Sequence, residues 1–456
     1  MKVCNLETIE TIEDAVRLTD YVCAEAPQVV IVPSFSWIKN CLQEISVALF
    51  HSEHEEALKL AEGLKARCMK FASMLVTEEK AATFAQENLS LRFTYILRLM
   101  NGPLNLLDDR ELLASSEYIS SILIAAYLKA KGMNVSLLES SEFMQLGSNN
   151  KPDLEAITAQ VKSLTELTHA SVYVLQSRLC KNAYGEVEYI PNARTDVYAT
   201  YVAAAFQAEE LVLWLHTKGL YTQFGETVYK QEEEYTLTFE EAESFINAGI
   251  RLISPACIEL ARQAGTAIKL MDNKSSHKKA LYIGSDSSDH NVKAVVARRN
   301  ISYVRLRSLG TVTSFQFLEK SLAVFSKYKV PIFLMTSSST NISMAVELSM
   351  DTFYLIRRDV APFAEIVLES NIATICVLGQ FSWDKTSIEG KIIDLLKNIP
   401  ILMISYGSDN SSVSVAVREK DREQALCSLS NAFLGTHFRK GDDTRIFHEE
   451  YNAFIV

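Results

Sequence analysis

The sequence predicts an α/β protein in which a layered α/β sandwich is followed by two units of βαββαβ, ferredoxin-like form. Three observations carry this. Short β-branched runs alternate with helical stretches through the first part of the chain. One order of elements then occurs twice in succession. Of the 456 residues 48% are apolar, which is core enough for two or three domains.

Residues 28–33 (QVVIVP) form a β-branched run, and 36–49 and 53–76 carry apolar residues at helical spacing with Glu and Lys on the outer face. A strand followed by helices is expected there. Strand-like runs recur at 133–138 (MNVSLL), 171–175 (SVYVL) and 210–215 (ELVLWL), with helices expected over 117–131 and 197–207. The stretch 271–291 is polar and rich in Ser, Asp and Lys, so a hinge is expected there. Beyond it, VKAVVARRNISYVRL, a helix at 314–328 and VPIFLMTSSSTNISMAVEL make a βαββ unit. ATICVLGQF, a helix at 386–397 and IPILMISYGSDNSSVSVAVRE repeat it, with Val413 and Val415 alternating against Ser412 and Ser414.

Composition narrows the function. The chain has 45 Lys+Arg against 56 Asp+Glu, a net charge of -11 that leaves no basic footprint for nucleic acid or anionic lipid. Eight cysteines without a CxxC pair fit reduced thiols in a cytoplasmic protein. There is no apolar leader and no apolar run long enough to span a bilayer, so neither export nor membrane insertion is expected. Only 16 glycines occur, about half the usual ~7%. Backbone that wraps phosphate normally needs them.

Four segments, taken in order, resemble the aspartokinase family: VVIVPSFSWIKN at 29–40, SSEYISSILIAAYLKAKGMNVSLLESSEFM at 115–144, ARTDVYATYVAAAFQAEELVLWLHTKGLYT at 193–222 and LTFEEAESFINAGIRLISPACIELARQAG at 237–265. With the repeated units, the resemblance covers nearly the whole chain. It implies a three-layer amino-acid-kinase sandwich over 1–283 and ACT domains over 284–366 and 367–456. It further implies phosphoryl transfer from ATP, with Mg2+, to the side-chain carboxylate of L-aspartate, which opens lysine, threonine and methionine synthesis. ACT domains of the family bind a small amino-acid effector and pair into dimers, so a homodimer through those domains is expected.

Phosphoryl transfer is positioning plus electrostatics, and the family's motifs supply the cations, donors and glycines for it. Where the family has KFGGTS, this chain has Asn5, Leu6, Glu7, Thr8 and Ile9. The lysine and both glycines are gone. Glu7 sets a negative charge toward phosphate, a contact costing about 4 kcal/mol at roughly 4 Å and an effective dielectric of about 20. The family's SAMSGVTN corresponds to 33–40, keeping Ser36 and Asn40 as expected substrate contacts but placing Trp37 at a glycine. Its GE pair corresponds to Ser116 and Glu117, and Glu117 is either the acid that holds substrate at the catalytic centre or a solvated helix residue.

The QGF turn becomes Gln176, Ser177 and Arg178, and RGGSD becomes Asn192, Ala193, Arg194, Thr195 and Asp196. Thr195 as a substrate contact and Asp196 as a catalytic acid are one reading, and an ordinary helix N-terminus is the other. WTDVDG becomes 214–219, which makes Trp214, His216, Lys218 and Gly219 the nucleotide-facing residues. The phosphate-binding lysine of GAKVLHP becomes Arg251, which keeps the charge without the geometry. In the first ACT unit the implied effector contacts are Ser314, Gln316, Phe317, Leu318 and Phe333. Phe333 stands where an Asp meets the effector's ammonium, a loss of about 1.5–3 kcal/mol. In the second, Pro400 replaces a hydrogen-bonding Asn.

Losing one oxyanion-type donor costs roughly 3 kcal/mol, and several have changed together. The expected function is therefore an aspartokinase-fold protein with a decayed nucleotide site, non-catalytic or very weak, acting as a regulatory or interaction subunit paired with an active aspartokinase. The rival is a working aspartate kinase in which His216, Lys218 and Arg251 restore the charge, with ATP and Mg2+ bound. A third reading is the same fold acting on another carboxylate. No metal site is expected, because His51, Glu53, His54 and Glu55 read as a solvated helix flank.

Overall fold

A computed structural model describes residues 1–6, 9–25, 27–168, 170–190, 194–215, 226–229, 234–248, 253–272, 280–285, 292–381, 388–406 and 411–434. The chain divides into two compact units. The first takes Met1–Leu220, Glu234–Phe239 and Ile253–Ser285, and the second Tyr221–Glu233, Glu240–Leu252 and Asp286–Val456. A single break after residue 283 does not capture this, since two earlier stretches cluster with the second unit.

The first unit opens with β1 (Lys2–Asn5), α1 (Ile12–Glu25), β2 (Val29–Val32), α2 (Ser36–Phe50), α3 (His54–Leu75) and α4 (Glu79–Leu99). It continues through α5 (Leu106–Ala130), β3 (Val135–Leu137), α6 (Ser140–Phe143), α7 (Leu154–Thr168) and β4 (Val172–Gln176). Then come β5 (Leu179–Lys181), β6 (Val187–Tyr189), α8 (Thr195–Ala205) and β7 (Glu210–Leu215). After β8 (Glu226–Tyr229), the chain adds β9 (Glu234–Thr238), α9 (Phe239–Asn247), α10 (Pro255–Ala264), β10 (Ala267–Asp272) and β11 (Ala280–Gly284). Of these, β8 and almost all of α9 belong to the second unit.

Eight strands form one sheet in the order β3-β4-β2-β1-β7-β10-β11-β9, parallel from β3 to β10. The VVIV of β2 is buried at all four positions, as a strand covered on both faces must be. Strand β11, between β10 and β9, lies inside the stretch expected as a hinge, because Ala280, Leu281 and Ile283 are buried and pair with β10. Helix α5 starts well before its expected position at 117, where the Asn105 side chain accepts the Leu107 and Asp108 N–H groups at 2.9 Å. It is buried almost continuously from Leu112 to Leu128. Its neighbour α4 was not among the expected elements, although Ala81, Ala85, Leu89, Phe93 and Ile96 make its buried stripe.

The second unit holds β12 (Val292–Ser308), α11 (Ser314–Lys327), β13 (Ile332–Ser337), β14 (Asn341–Val346) and α12 (Met350–Val360). These are followed by β15 (Ala364–Gly379), α13 (Ile388–Leu395), β16 (Met403–Ser405), β17 (Ser412–Arg418) and α14 (Glu419–Leu434). Both repeats share one sheet, ordered β13-β14-β12-β15-β17-β16, with β8 added beside β12. Strands β12 and β15 pair antiparallel from Val292 opposite Gly379 to Ser308 opposite Ala364. The amino half of β12 thus completes the second repeat. Cα atoms of β13 and β16, the two ends of that order, approach within 8 Å, so the sheet curls back on itself.

Candidate functional site

In a doubly wound parallel sheet, ligands bind outside the carboxyl ends of the strands where the winding reverses. Here β1 is flanked by β2 on one side and β7 on the other, and β4 follows β2. Three buried polar atoms without a hydrogen-bond partner belong to this edge: Asn5 Oδ1 at the end of β1, Ser177 Oγ just past β4, and Glu117 Oε2 on α5. Buried polar groups are otherwise almost always satisfied, so such a set marks a place for something not made of protein.

Glu117 is the centre of it. The residue is 1% exposed, which rules out the solvated-helix reading. The Ser34 hydroxyl and backbone N–H, just past β2, lie beside its carboxylate and favour its charged form. Among the described residues no cation lies within ion-pair distance of it. Burial pushes its pKa up to about 7, against the pull of Arg178, Lys39 and the Ser34 hydrogen bonds. Arg178 sits over the Tyr189 ring at 5.3 Å and takes φ of 60°, the left-handed region that a large side chain seldom occupies. Burial holds the Tyr189 hydroxyl well above the usual range, with Ser116 beside it.

The surrounding network fixes this edge. Phe35 N–H donates to Ser120 Oγ at 2.9 Å, and Ser120 in turn donates to the Ser116 carbonyl at 2.7 Å. Gln176 is consumed structurally: its amide nitrogen donates to Ser121 Oγ at 3.0 Å, and its side-chain oxygen accepts Ser140 N–H at 2.8 Å. The loop after β2 and helices α5 and α6 are thereby tied to β4.

The residues expected at the site are dispersed. Ser36 opens α2 half-buried, while Asn40 and Thr195 are exposed. Asp196 is buried, but one oxygen accepts Ser254 N–H at 2.7 Å, the other accepts Val197 N–H at 2.9 Å, and Arg194 lies 3.4 Å away. It acts as a bracket for the start of α10, and its oxygens are not free for a reacting group. Trp214 is buried against Tyr21, ring centroids 4.9 Å apart and nearly perpendicular, so it packs in the core and does not face a nucleotide. His216, Lys218, Gly219, Arg251 and Glu7 lie outside the described residues.

The implied effector contacts do not converge either. Gln316 closes a capping box with Thr313 at the start of α11, Ser314 is exposed, and Phe317 with Leu318 packs in the core beneath α11 and α12. Phe333 belongs to a different cluster, with Leu334 and Tyr303. His51, Glu53, His54 and Glu55 are exposed, and no metal-holding group of His, Cys, Asp or Glu occurs among the described residues. Nor is any described helix long and apolar enough to cross a membrane. Sequence reasoning passed over Ser34, Arg178, Tyr189 and Asn5 as site residues. The one available signal was that Ser34 and Arg178 lie within motifs already aligned.

With this geometry in view, comparison with known proteins is decisive for descent. The amino acid kinase family model matches residues 24–272, more than half of the chain, and an ACT domain model matches 375–433. The chain belongs to the amino acid kinase family. The relatives it matches within that family are aspartokinases. It is 19% identical to the lysine-sensitive aspartokinase 3 of Escherichia coli, over 71% of this chain and 75% of that one. Its fold is similar to that of the Clostridium acetobutylicum aspartate kinase, with a TM-score of 0.74, 16% identity and coverage of 96% and 100%. It is also similar to E. coli aspartokinase III solved with aspartate and ADP, with a TM-score of 0.61, 17% identity and coverage of 94% and 99%.

Proposed function

We propose that this chain binds a small amino acid, L-aspartate first among them, at the carboxyl edge of its first sheet, and transfers phosphate from ATP weakly or not at all. The observation that carries this is the buried, cation-free carboxylate of Glu117 with its unpartnered Oε2. A ligand ammonium in contact with that oxygen removes the cost of burying an unpaired charge. Arg178, held on Tyr189 and within electrostatic reach of Glu117, then supplies a donor for the ligand's carboxylate, a pairing that Arg makes bidentate. Aspartate as the first candidate draws on the solved E. coli enzyme, whose complex contains it.

The described residues do not fit a triphosphate. Past the ends of β1, β2 and β4 stand Leu6, Pro33 and Ser177, with no glycine among them, and Leu6 is buried. A backbone cradle needs small residues at such points. Asp196 is committed to Ser254 and Arg194.

A regulatory or interaction subunit follows from this reading, either as a homodimer through the ACT units or beside an active aspartokinase. Phe315 on α11 and Tyr354 on α12 are 86% and 58% exposed, apolar surface that self-association would cover. Sedimentation should give a dimer that Phe315→Ser and Tyr354→Ser weaken, and a monomer at all concentrations would defeat that part. Eight unbridged cysteines suit the reducing cytoplasm.

Calorimetry separates the readings. L-Aspartate should bind 1:1 and Glu117→Gln should abolish the heat, whereas Mg·ATP at millimolar concentration should give none. A hydroxamate assay with aspartate and ATP should stay at the blank. Micromolar nucleotide binding with turnover would establish a working kinase instead, with His216, Lys218 and Arg251 as the residues to replace next.

A further inference from the structure

The connection between α4 and α5 carries chemistry that neither the strand-end site nor the second unit uses. Asn101 and Gly102 make the one Asn-Gly pair in the sequence. Helix α4 ends at Leu99, and Gly102 takes φ of 116° to turn the chain toward Pro103 and the start of α5. Asn101, Gly102 and Pro103 are all exposed.

An asparagine followed by glycine is poised to react with its own backbone, because no β-carbon shields the next amide nitrogen. Folded proteins block the reaction by committing one of the two groups to a hydrogen bond. Here neither is committed. The Asn101 side chain has no hydrogen-bond partner among the described residues, while its backbone N–H donates to the Arg98 carbonyl at 3.2 Å. The Gly102 N–H has no partner among the described residues either. A β-carbon at Gly102 would find no atom within 4 Å, so the space in which a succinimide ring must close is open. Asn105, in the same connection and also exposed, is the contrast. Its side-chain oxygen accepts the Leu107 and Asp108 N–H groups at 2.9 Å, its side-chain nitrogen donates to Asp108, and the branched Leu106 follows it.

We propose that Asn101 is a self-modification site, converting through a succinimide to aspartate and isoaspartate. The Gly102 nitrogen attacks the Asn101 side-chain carbonyl carbon and gives up its proton to solvent. The new C–N bond replaces the side-chain amide bond, and ammonia leaves. Water then opens the ring at either carbonyl, so the net change is water taken up and ammonia released, with nothing oxidised or reduced. Both products place a negative charge just past the C-terminal end of α4, where the helix dipole disfavours it. Opening toward isoaspartate also routes the backbone through the side-chain carbons, which lengthens the connection that sets α4 against α5.

The test incubates the folded full chain in acidic and in mildly alkaline buffer, then digests it briefly with trypsin, which releases residues 99–110 as one peptide holding both asparagines. An unincubated sample sets the baseline, and the synthetic peptide 99–110 sets the rate for an unrestrained chain. In alkaline buffer Asn101 should take on the mass of an amide-to-acid exchange within a few-fold of the free peptide's rate, with ammonia released in equal amount. Asn105 should stay an amide, and acidic buffer should slow the conversion. A methyltransferase specific for isoaspartyl carboxylates, supplied with labelled S-adenosylmethionine, should label the incubated wild type in this peptide and leave Asn101→Gln unlabelled there. Gly102→Ala should slow conversion several-fold. Positive φ strains alanine, so if that variant does not fold the contrast between Asn101 and Asn105 in the wild type decides. Asn101 unchanged in the folded chain while the free peptide converts, or Asn105 converting as fast as Asn101, would overturn the proposal.

Discussion

Each unit buries a glutamate, and the two are used differently. Glu241 on α9 and Glu117 on α5 are both 1% exposed. Glu241 meets Lys293 Nζ at 2.8 Å, whereas Glu117 has Ser34 beside it and, among the described residues, no cation in contact. Equal burial with opposite pairing separates structure from site: a neutralised acid fastens a helix, and an unneutralised one waits for a partner from outside.

Removing one side of the fastened pair should have the largest effect. Lys293→Met strands Glu241 in a dry interior and should cost about 3–5 kcal/mol in urea unfolding. Replacing both as Glu241→Leu with Lys293→Met should restore most of it. If the single variant unfolds like the wild type, the pair is not the anchor described above.

Glu117 should behave in the reverse sense. Its native pKa of about 7 lies above the usual 4.5, so the proton it retains stabilises the fold fully below about pH 4.5. That contribution is lost as pH rises through about 7. Glu117→Gln should remove this slope and be more stable than wild type at pH 8, by up to about 3 kcal/mol. Aspartate affinity should move the other way in the wild type, rising with pH through about 7 as the carboxylate ionises. A flat stability profile between pH 4.5 and 8 would show that the acid is not held protonated.

Smaller effects sharpen the same contrast. Arg178→Gln should weaken aspartate binding by about 1.5–3 kcal/mol while leaving unfolding nearly unchanged, since Arg178 makes no ion pair among the described residues. Ser34→Ala should cost about 1 kcal/mol in binding and raise the pKa of Glu117 further, which a carboxyl-resolved NMR titration would show.

Much of this molecule is legible without coordinates. The strand-like runs at 28–33, 171–175 and 210–215 fall on β2, β4 and β7, and the spacing of 36–49 and 53–76 falls on α2 and α3, because side-chain period is a local property. The strand at Lys2–Asn5 was missed, because Lys2 and Asn5 leave only Val3 and Cys4 as an apolar run. The site is a different matter. Asp196 and Trp214 looked like chemistry and proved to be a bracket and a core residue, while Arg178, in a turn whose glycine had been replaced, proved to face Glu117.

From its order of residues alone this chain has its family, its layering and the loss of the glycine-rich phosphate turns, since these depend on neighbours along the chain. Tertiary structure alone decided that Glu117 is buried with no cation in contact among the described residues, and that the serine face of β17 looks into a cavity under α9. Desolvation and pairing are set by groups far apart in sequence, and a period of two says which side chains share a face but not what covers it.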